Sequence, residues 1–162
     1  MYPMSTLAST VVIVTSRFAD RPWGMTVTAF ASVSADPPTV LVSLGAGTVS
    51  ARSIAASGAF GVSILADSQV CAANHAAAPG ETKFLDTLVE RSDRRSASPA
   101  IAEALAHLDC EVVDAVEAVD HVVFLGRVHR VRRRVGDPLL YHGREYATLA
   151  PTTERILRCL AS

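Results

Sequence analysis

Val11-Val12-Ile13-Val14-Thr15, Trp23-Gly24-Met25-Thr26-Val27, Phe30-Ala31-Ser32-Val33-Ser34 and Thr39-Val40-Leu41-Val42-Ser43-Leu44 follow one another with only short connections between them. Short runs this rich in β-branched and aromatic side chains read as strands. The polar run Ser16 to Pro22 predicts a turn, and therefore a hairpin of the first two. Asp36-Pro37-Pro38 interrupts the third and fourth, because proline fixes φ and offers no N–H. Further along, Gly45-Ala46-Gly47 ends a strand, Thr48 to Ser57 predicts a short helix stopped by Gly58, and Ala59 to Leu65 predicts another strand. Asp67 or Ser68 can cap a helix running to about Ala77, Pro79-Gly80 breaks it, and Lys83-Phe84-Leu85 opens a second short helical segment. Ser92 to Ser98 reads as a polar surface loop. Leu105 to Val119 and His121 to Val135 predict two long antiparallel strands turning around Glu117 to Asp120. Leu139-Leu140-Tyr141 and Tyr146 to Leu149 flank a hairpin turn at His142 to Glu145, and Thr152 to Leu160 predicts a terminal helix. The expected fold is mostly β with short helices, a closed or nearly closed antiparallel barrel, formed as a single domain over residues 1–162.

Composition bounds what such a barrel can do. With 162 residues, 49% of them hydrophobic and 19% charged, the chain can bury a substantial core, which excludes disorder and fibrous repeats. A net charge of −1 gives no general attraction to a polyanion, so no nucleic acid and no acidic membrane is expected as a partner. Few charges and a mean hydropathy of +0.29 imply apolar surface that a second copy of the chain would cover, predicting a homodimer. The uncharged stretch Pro37 to Ala51 is broken by Gly45 and Gly47 and falls short of the ~18 apolar residues of a membrane helix. Met1 to Thr15 has no basic residue ahead of its apolar run, so export is not expected. Cys71, Cys110 and Cys159 are odd in number and widely spaced, which predicts neither disulfides nor zinc and places the chain in the reducing cytoplasm.

Single motifs say less. The strand Thr39 to Leu44, the turn Gly45-Ala46-Gly47 and the helix from Thr48 imitate a dinucleotide-binding fingerprint, with Asp67 as the later acid. Ser50 stands where the third glycine belongs, the helix is too short, and no second βαβ unit follows. What remains is a helix N-terminus carrying the hydroxyls of Thr48 and Ser50, suited to a phosphate or to plain capping. His75, His107, His121, His129 and His142 show no metal-ligand spacing, and no serine lies in a nucleophile elbow. Arg127, Arg130, Arg132, Arg133 and Arg134 crowd one strand, which fits a solvated strand end better than a phosphate surface.

Taken together, several segments resemble the flavin reductase-like family, the small NAD(P)H:flavin oxidoreductases that supply reduced flavin to two-component monooxygenases. They are Gly24 to Pro38; Thr48-x-Ser50; Phe60-Gly61-Val62-Ser63-Ile64-Leu65 with Gln69; Lys83-Phe84; Asp120 to Val128; and Pro138-Leu139-Leu140-Tyr141 with Tyr146. The resemblance implies an FMN-binding split β-barrel that dimerises, FMN or FAD as the flavin, and NADH or NADPH as hydride donor. It also implies a flavin-dependent monooxygenase as recipient. It would run Met25, Thr26, Val27, Thr28 and Ala29 along the isoalloxazine, and bring Ser32, Val33 and Ser34 to the ribityl chain and phosphate. Thr48, Ser50 and Lys83, with Phe84 beside it, would hold the phosphate end. His121 and Tyr146 would face the nicotinamide and position it, since hydride passes directly between the rings. Two alternatives share the same barrel: a flavin- or haem-binding module without turnover, and a dimerisation domain without ligand.

Overall fold

The computed structural model describes residues 3–80 and 82–150. The expected helix at Thr152 to Leu160 and Cys159 lie outside the described residues. Among the described residues ten strands and two α-helices occur in the order β1 (Ser9–Thr10), β2 (Val12–Phe18), β3 (Arg21–Val27), β4 (Phe30–Ala35), β5 (Pro38–Gly45), α1 (Val49–Ser57), β6 (Ala59–Ile64), α2 (Val70–Ala77), β7 (Ala106–Ala118), β8 (His121–Arg133), β9 (Leu140–His142) and β10 (Glu145–Ala147). Strands β3-β2-β6-β7-β8-β5-β4 make one antiparallel sheet, and β1-β9-β10 a second, smaller one.

The two edges of the large sheet, β3 and β4, are consecutive in the chain, joined only through Thr28 and Ala29. Flat, six strand spacings would hold them about 29 Å apart; the sheet therefore curls until its edges meet at this corner. One core records the curl, for it gathers Val27 from one edge, Val42 and Leu44 from beside the other, and Val62, Cys110 and Phe124 from between. Helix α1 adds Ala51 and Ile54 to it. No hydrogen-bonded ladder joins β3 to β4 among the described residues, so of the two forms expected, closed or nearly closed, the barrel takes the second: a curled sheet left open at one seam.

Strand β2 is buried on both faces, which is why its residues are apolar without alternation. Val12 and Val14 face the barrel core, whereas Val11 and Ile13 join a second cluster with Ala73 and Ala76 of α2, Leu85, Val89 and Ile101. Segment 83–105 is thus packed against the outside of the barrel. A buried polar chain clasps it there: the Ile101 N–H donates to Ser63 Oγ (3.1 Å), Ser63 meets His107 Nδ1 (2.8 Å), and His107 Nε2 meets the Ser98 carbonyl (3.0 Å). A carbonyl only accepts, so the His107 proton is on Nε2 and Nδ1 accepts from the Ser63 hydroxyl.

Four local expectations need correction. Ser16 to Phe18 and Arg21-Pro22 belong to β2 and β3, and the turn is only Ala19-Asp20, both at positive φ (50° and 57°). The helix expected from Asp67 or Ser68 begins as a 3₁₀ turn, Asp67–Gln69, and α2 starts at Val70 without a side-chain cap. Lys83-Phe84-Leu85 is extended, because Phe84 bridges Trp23 and the Leu85 N–H donates to Pro22 O (2.9 Å). The polar stretch ending at Ser98 is not all surface, since Ser98 is buried and donates to Asp109 Oδ1 (2.5 Å). The β7–β8 and β9–β10 hairpins and α1, with Thr48 as its N-cap and Gly58 in the left-handed conformation, follow the expectation.

Candidate functional site

The corner that joins the sheet edges also bounds a cleft. Two adjoining depressions share Thr28 and Tyr141 in their walls. The inner lobe, about 230 Å³, is completed by Thr26, Val27, Ala77 and Tyr146. The outer lobe, about 420 Å³, is completed by Leu7, Ser9, Ala29 and Arg144. Strand β1 and the β9–β10 hairpin supply the wall opposite the corner, in the register Ser9↔Tyr141 and Tyr146↔Tyr141. The Tyr141 and Tyr146 rings meet edge to face with centroids 5.5 Å apart, which fixes both planes. Burial, and then Tyr141, raise the Tyr146 phenol above its ordinary range, so it stays a neutral donor.

The period-2 alternation of β3 divides its expected flavin contacts. Met25 and Val27 turn inward onto the barrel core, leaving only their backbone to a ligand on the other face. Thr26 faces outward, and its hydroxyl donates to Ala73 O of α2 (2.7 Å). Thr28 and Ala29 are exposed at the corner. On β4, Ser32 and Val33 are exposed beside a bulge, and Ser34 Oγ accepts from the Asp36 N–H (3.2 Å).

The expected phosphate group is less unified. Thr48 Oγ1 accepts from the Ala51 N–H (3.1 Å) and donates to Gly45 O (2.8 Å), so its side chain is a helix cap. Ser50 shares the face of Ile54, is buried, and its Oγ finds no hydrogen-bond partner among the described residues. Ser16 Oγ, on the face of β2 that carries Val12 and Val14, is buried and orphaned in the same way; the sequence reading took it for part of a turn. Lys83 is half-buried with no ion pair among the described residues, and burial lowers its amine below the usual lysine range. Its backbone is tied to β3 by the Gly24 N–H (3.2 Å), and no hydrogen bond joins it to Thr48 or Ser50 among the described residues. The Phe84 ring is committed to packing, against Trp23 (5.1 Å) and Phe18 (6.3 Å), under the Arg21 guanidinium.

His121 and Tyr146 are not neighbours across one cleft. His121 opens β8 opposite Gly45, exposed, with Nδ1 2.7 Å from Asp120 Oδ1. It stands beside a separate groove of about 260 Å³ between α1 and the β7–β8 hairpin, where Arg52, Ala55, Glu117 and Val122 form the walls. Tyr141 and Arg144, with Leu7, Ser9 and Ala77, are cleft residues that sequence reasoning passes over. Their signal was the hairpin turn itself, which puts Tyr141 and Tyr146 side by side. No cluster of metal-ligating side chains occurs among the described residues.

Ser16 and Ser50 present buried hydroxyls without partners among the described residues, which is costly in a finished core, and Lys83 adds a half-buried amine with no ion pair there. The cleft, walled by hydroxyls, aromatic rings and the backbone of Thr26 to Ala29, fits a planar polar ring. These features define a curled β-sheet protein built to bind a nucleotide-like cofactor. Residues 4–150 match the flavin reductase like domain, and the chain belongs to that family. It is 35% identical over 144 residues to the reductase component of 4-nitrophenol 4-monooxygenase/4-nitrocatechol 2-monooxygenase of Rhodococcus opacus, covering 89% of this chain and 76% of the relative. It is 36% identical over 155 residues to the NADH:riboflavin 5'-phosphate oxidoreductase of Streptomyces pristinaespiralis, covering 93% and 86%. The NADH:FAD oxidoreductase of Streptomyces globisporus C-1027, solved in complex with NAD and FAD fragments, superposes with a TM-score of 0.81 at 33% identity, covering 92% of this chain and 90% of that one.

Proposed function

We infer that the protein is an NAD(P)H:flavin oxidoreductase that reduces FMN or FAD and releases the reduced flavin to a flavin-dependent monooxygenase, working as a homodimer in the cytoplasm. The observation that carries the reading is that Thr26 to Ala29 and Tyr146, distant in sequence, wall one cleft in a chain of this family. When bound, the flavin supplies the acceptor for a hydride from the reduced nicotinamide. The chain's own work is to hold the two rings in contact and to keep water from them. Backbone amides of Met25 to Ala29 offer hydrogen bonds to the ring. Ser32 to Ser34 follow the ribityl chain. Ser50 and Lys83 hold the phosphate, with Thr48 fixing the helix end that presents Ser50. Tyr146 positions the nicotinamide from the cleft wall, and His121, which lies beside a separate groove, reaches the same ring only if a second copy of the chain brings that groove to the cleft.

Steady-state oxidation of NADH and NADPH with free FMN and FAD tests the activity. Turnover is expected with at least one pair, and tight stoichiometric flavin binding without turnover would replace the reading by a flavin-binding module. For the phosphate site, Lys83→Ala is expected to weaken FMN binding by about tenfold and to leave riboflavin nearly unchanged, since a charge-assisted bond contributes only where phosphate is present. Equal losses for the two flavins would remove Lys83 from it.

A further inference from the structure

We propose that Arg144 recognises the phosphates of the nicotinamide dinucleotide from the outer lip of the cleft, an inference that rests on the reductase reading above. Among the described residues Arg144 is the one charged side chain in the walls of either lobe. It has no ion pair or hydrogen-bond partner there; Arg127, Arg130 and Arg133 on β8 are likewise without an ion pair, but they line neither lobe. An arginine left unpaired over an uncharged cleft has a forked donor free for phosphate oxygens.

Its backbone position is built rather than incidental. Gly143 and Arg144 make the β9–β10 turn with φ of 61° and 70°, and the Gly143 N–H donates to Ser5 O (3.0 Å), which ties the turn to the chain ahead of β1. Tyr146, two residues on, walls the inner lobe, while Arg144 walls the outer one. The two lobes adjoin at Thr28 and Tyr141, so a dinucleotide whose nicotinamide lies beside Tyr146 in the smaller lobe would bring its phosphates to Arg144 in the larger one. The flavin phosphate is assigned to Ser50 and Lys83, so an anion at this lip belongs to the other ligand.

Calorimetric titration of the FMN-saturated protein with NAD⁺, NADP⁺ and nicotinamide riboside tests the proposal without turnover. Arg144→Ala is expected to raise the Kd of the dinucleotides about five- to tenfold, to leave the riboside within twofold, and to leave FMN affinity and Tm unchanged; Arg144→Lys should recover part of the loss. Equal losses for NAD⁺ and NADP⁺ identify the pyrophosphate, and a loss confined to NADP⁺ identifies its 2′-phosphate. No loss, an equal loss for the riboside, or a loss for FMN in place of the dinucleotides would overturn the proposal. Failure of the reductase reading itself would appear in the unaltered protein, as absence of NADH- or NADPH-driven flavin reduction.

Discussion

At the scale of single residues, histidines show how one side chain divides between architecture and chemistry. His107 is buried and neutral; burial, which outweighs the attraction of Asp109, lowers its pKa below the ordinary value, with Arg132 acting in the same direction. A histidine with a depressed folded pKa binds fewer protons folded than unfolded below about pH 6.5. Its contribution is complete above that pH and is lost as the pH falls toward the folded value. Thermal melts should therefore show Tm dropping between pH 7 and pH 5, and His107→Gln, less stable at pH 7, should show a smaller drop; an unchanged pH slope would assign the loss to other groups. His121 is exposed, so His121→Ala should leave Tm within about 2 °C. If it positions the nicotinamide, the same variant should raise the KM for NADH or lower kcat while FMN affinity stays within a few-fold. Unchanged NADH kinetics in the folded variant would leave His121 without that task. Sequence reasoning gives His107 no role because, beyond Asp109 two residues along the same strand, its partners Ser63 and Ser98 come from other segments that only the fold brings to it.

The elements were legible where their residues act locally. Thr48 and Gly58 bracket α1 because capping and a left-handed stop are properties of the residue itself, and β2, β5 and β8 announce themselves by β-branched runs. The misreadings share a cause in the opposite situation. Lys83 to Leu85 carries no strand signature and is extended only because β3 offers it a partner in Trp23 and Pro22. Ala19-Asp20 lacks the Asn-Gly signature of a two-residue hairpin, so polar Ser16 and Arg17 read as part of a longer turn. That turn yields a prediction: Ala19→Asn with Asp20→Gly supplies residues that accept positive φ, and should stabilise the protein by about 1 kcal/mol, seen as a higher Tm. A lower Tm would mean that the present side chains make contacts that outweigh the backbone strain. The strand and corner residues Thr26 to Ala29 are contiguous and were legible as such; the cleft they bound was not, since the opposite wall comes from the far end of the chain.

For the whole molecule the open question is its surface. The outer half of the β7–β8 hairpin leaves Val113, Val116 and Val119 exposed, and β4 presents Val33 beside the corner, on a chain with few charges to keep such surfaces apart. Helices cannot account for it by membrane insertion, because none among the described residues is long and apolar enough to cross a bilayer. Light scattering after size exclusion is expected to give twice the chain mass at micromolar concentration, with Val116→Lys shifting the equilibrium toward monomer. A monomer for the unaltered chain would leave this face to another partner.

The cleft also has a history written into its walls. Its floor at Thr26 to Ala29 is made early in synthesis, but the wall that faces it, Tyr141 to Tyr146, is nearly the last of the described chain to leave the ribosome. The long β7–β8 hairpin, and with it the large sheet, is complete in sequence before that wall begins. The large sheet and the cleft therefore draw on different stretches of chain: residues 12–133 supply every strand of the sheet, whereas the cleft also needs the hairpin that carries Tyr141 and Tyr146.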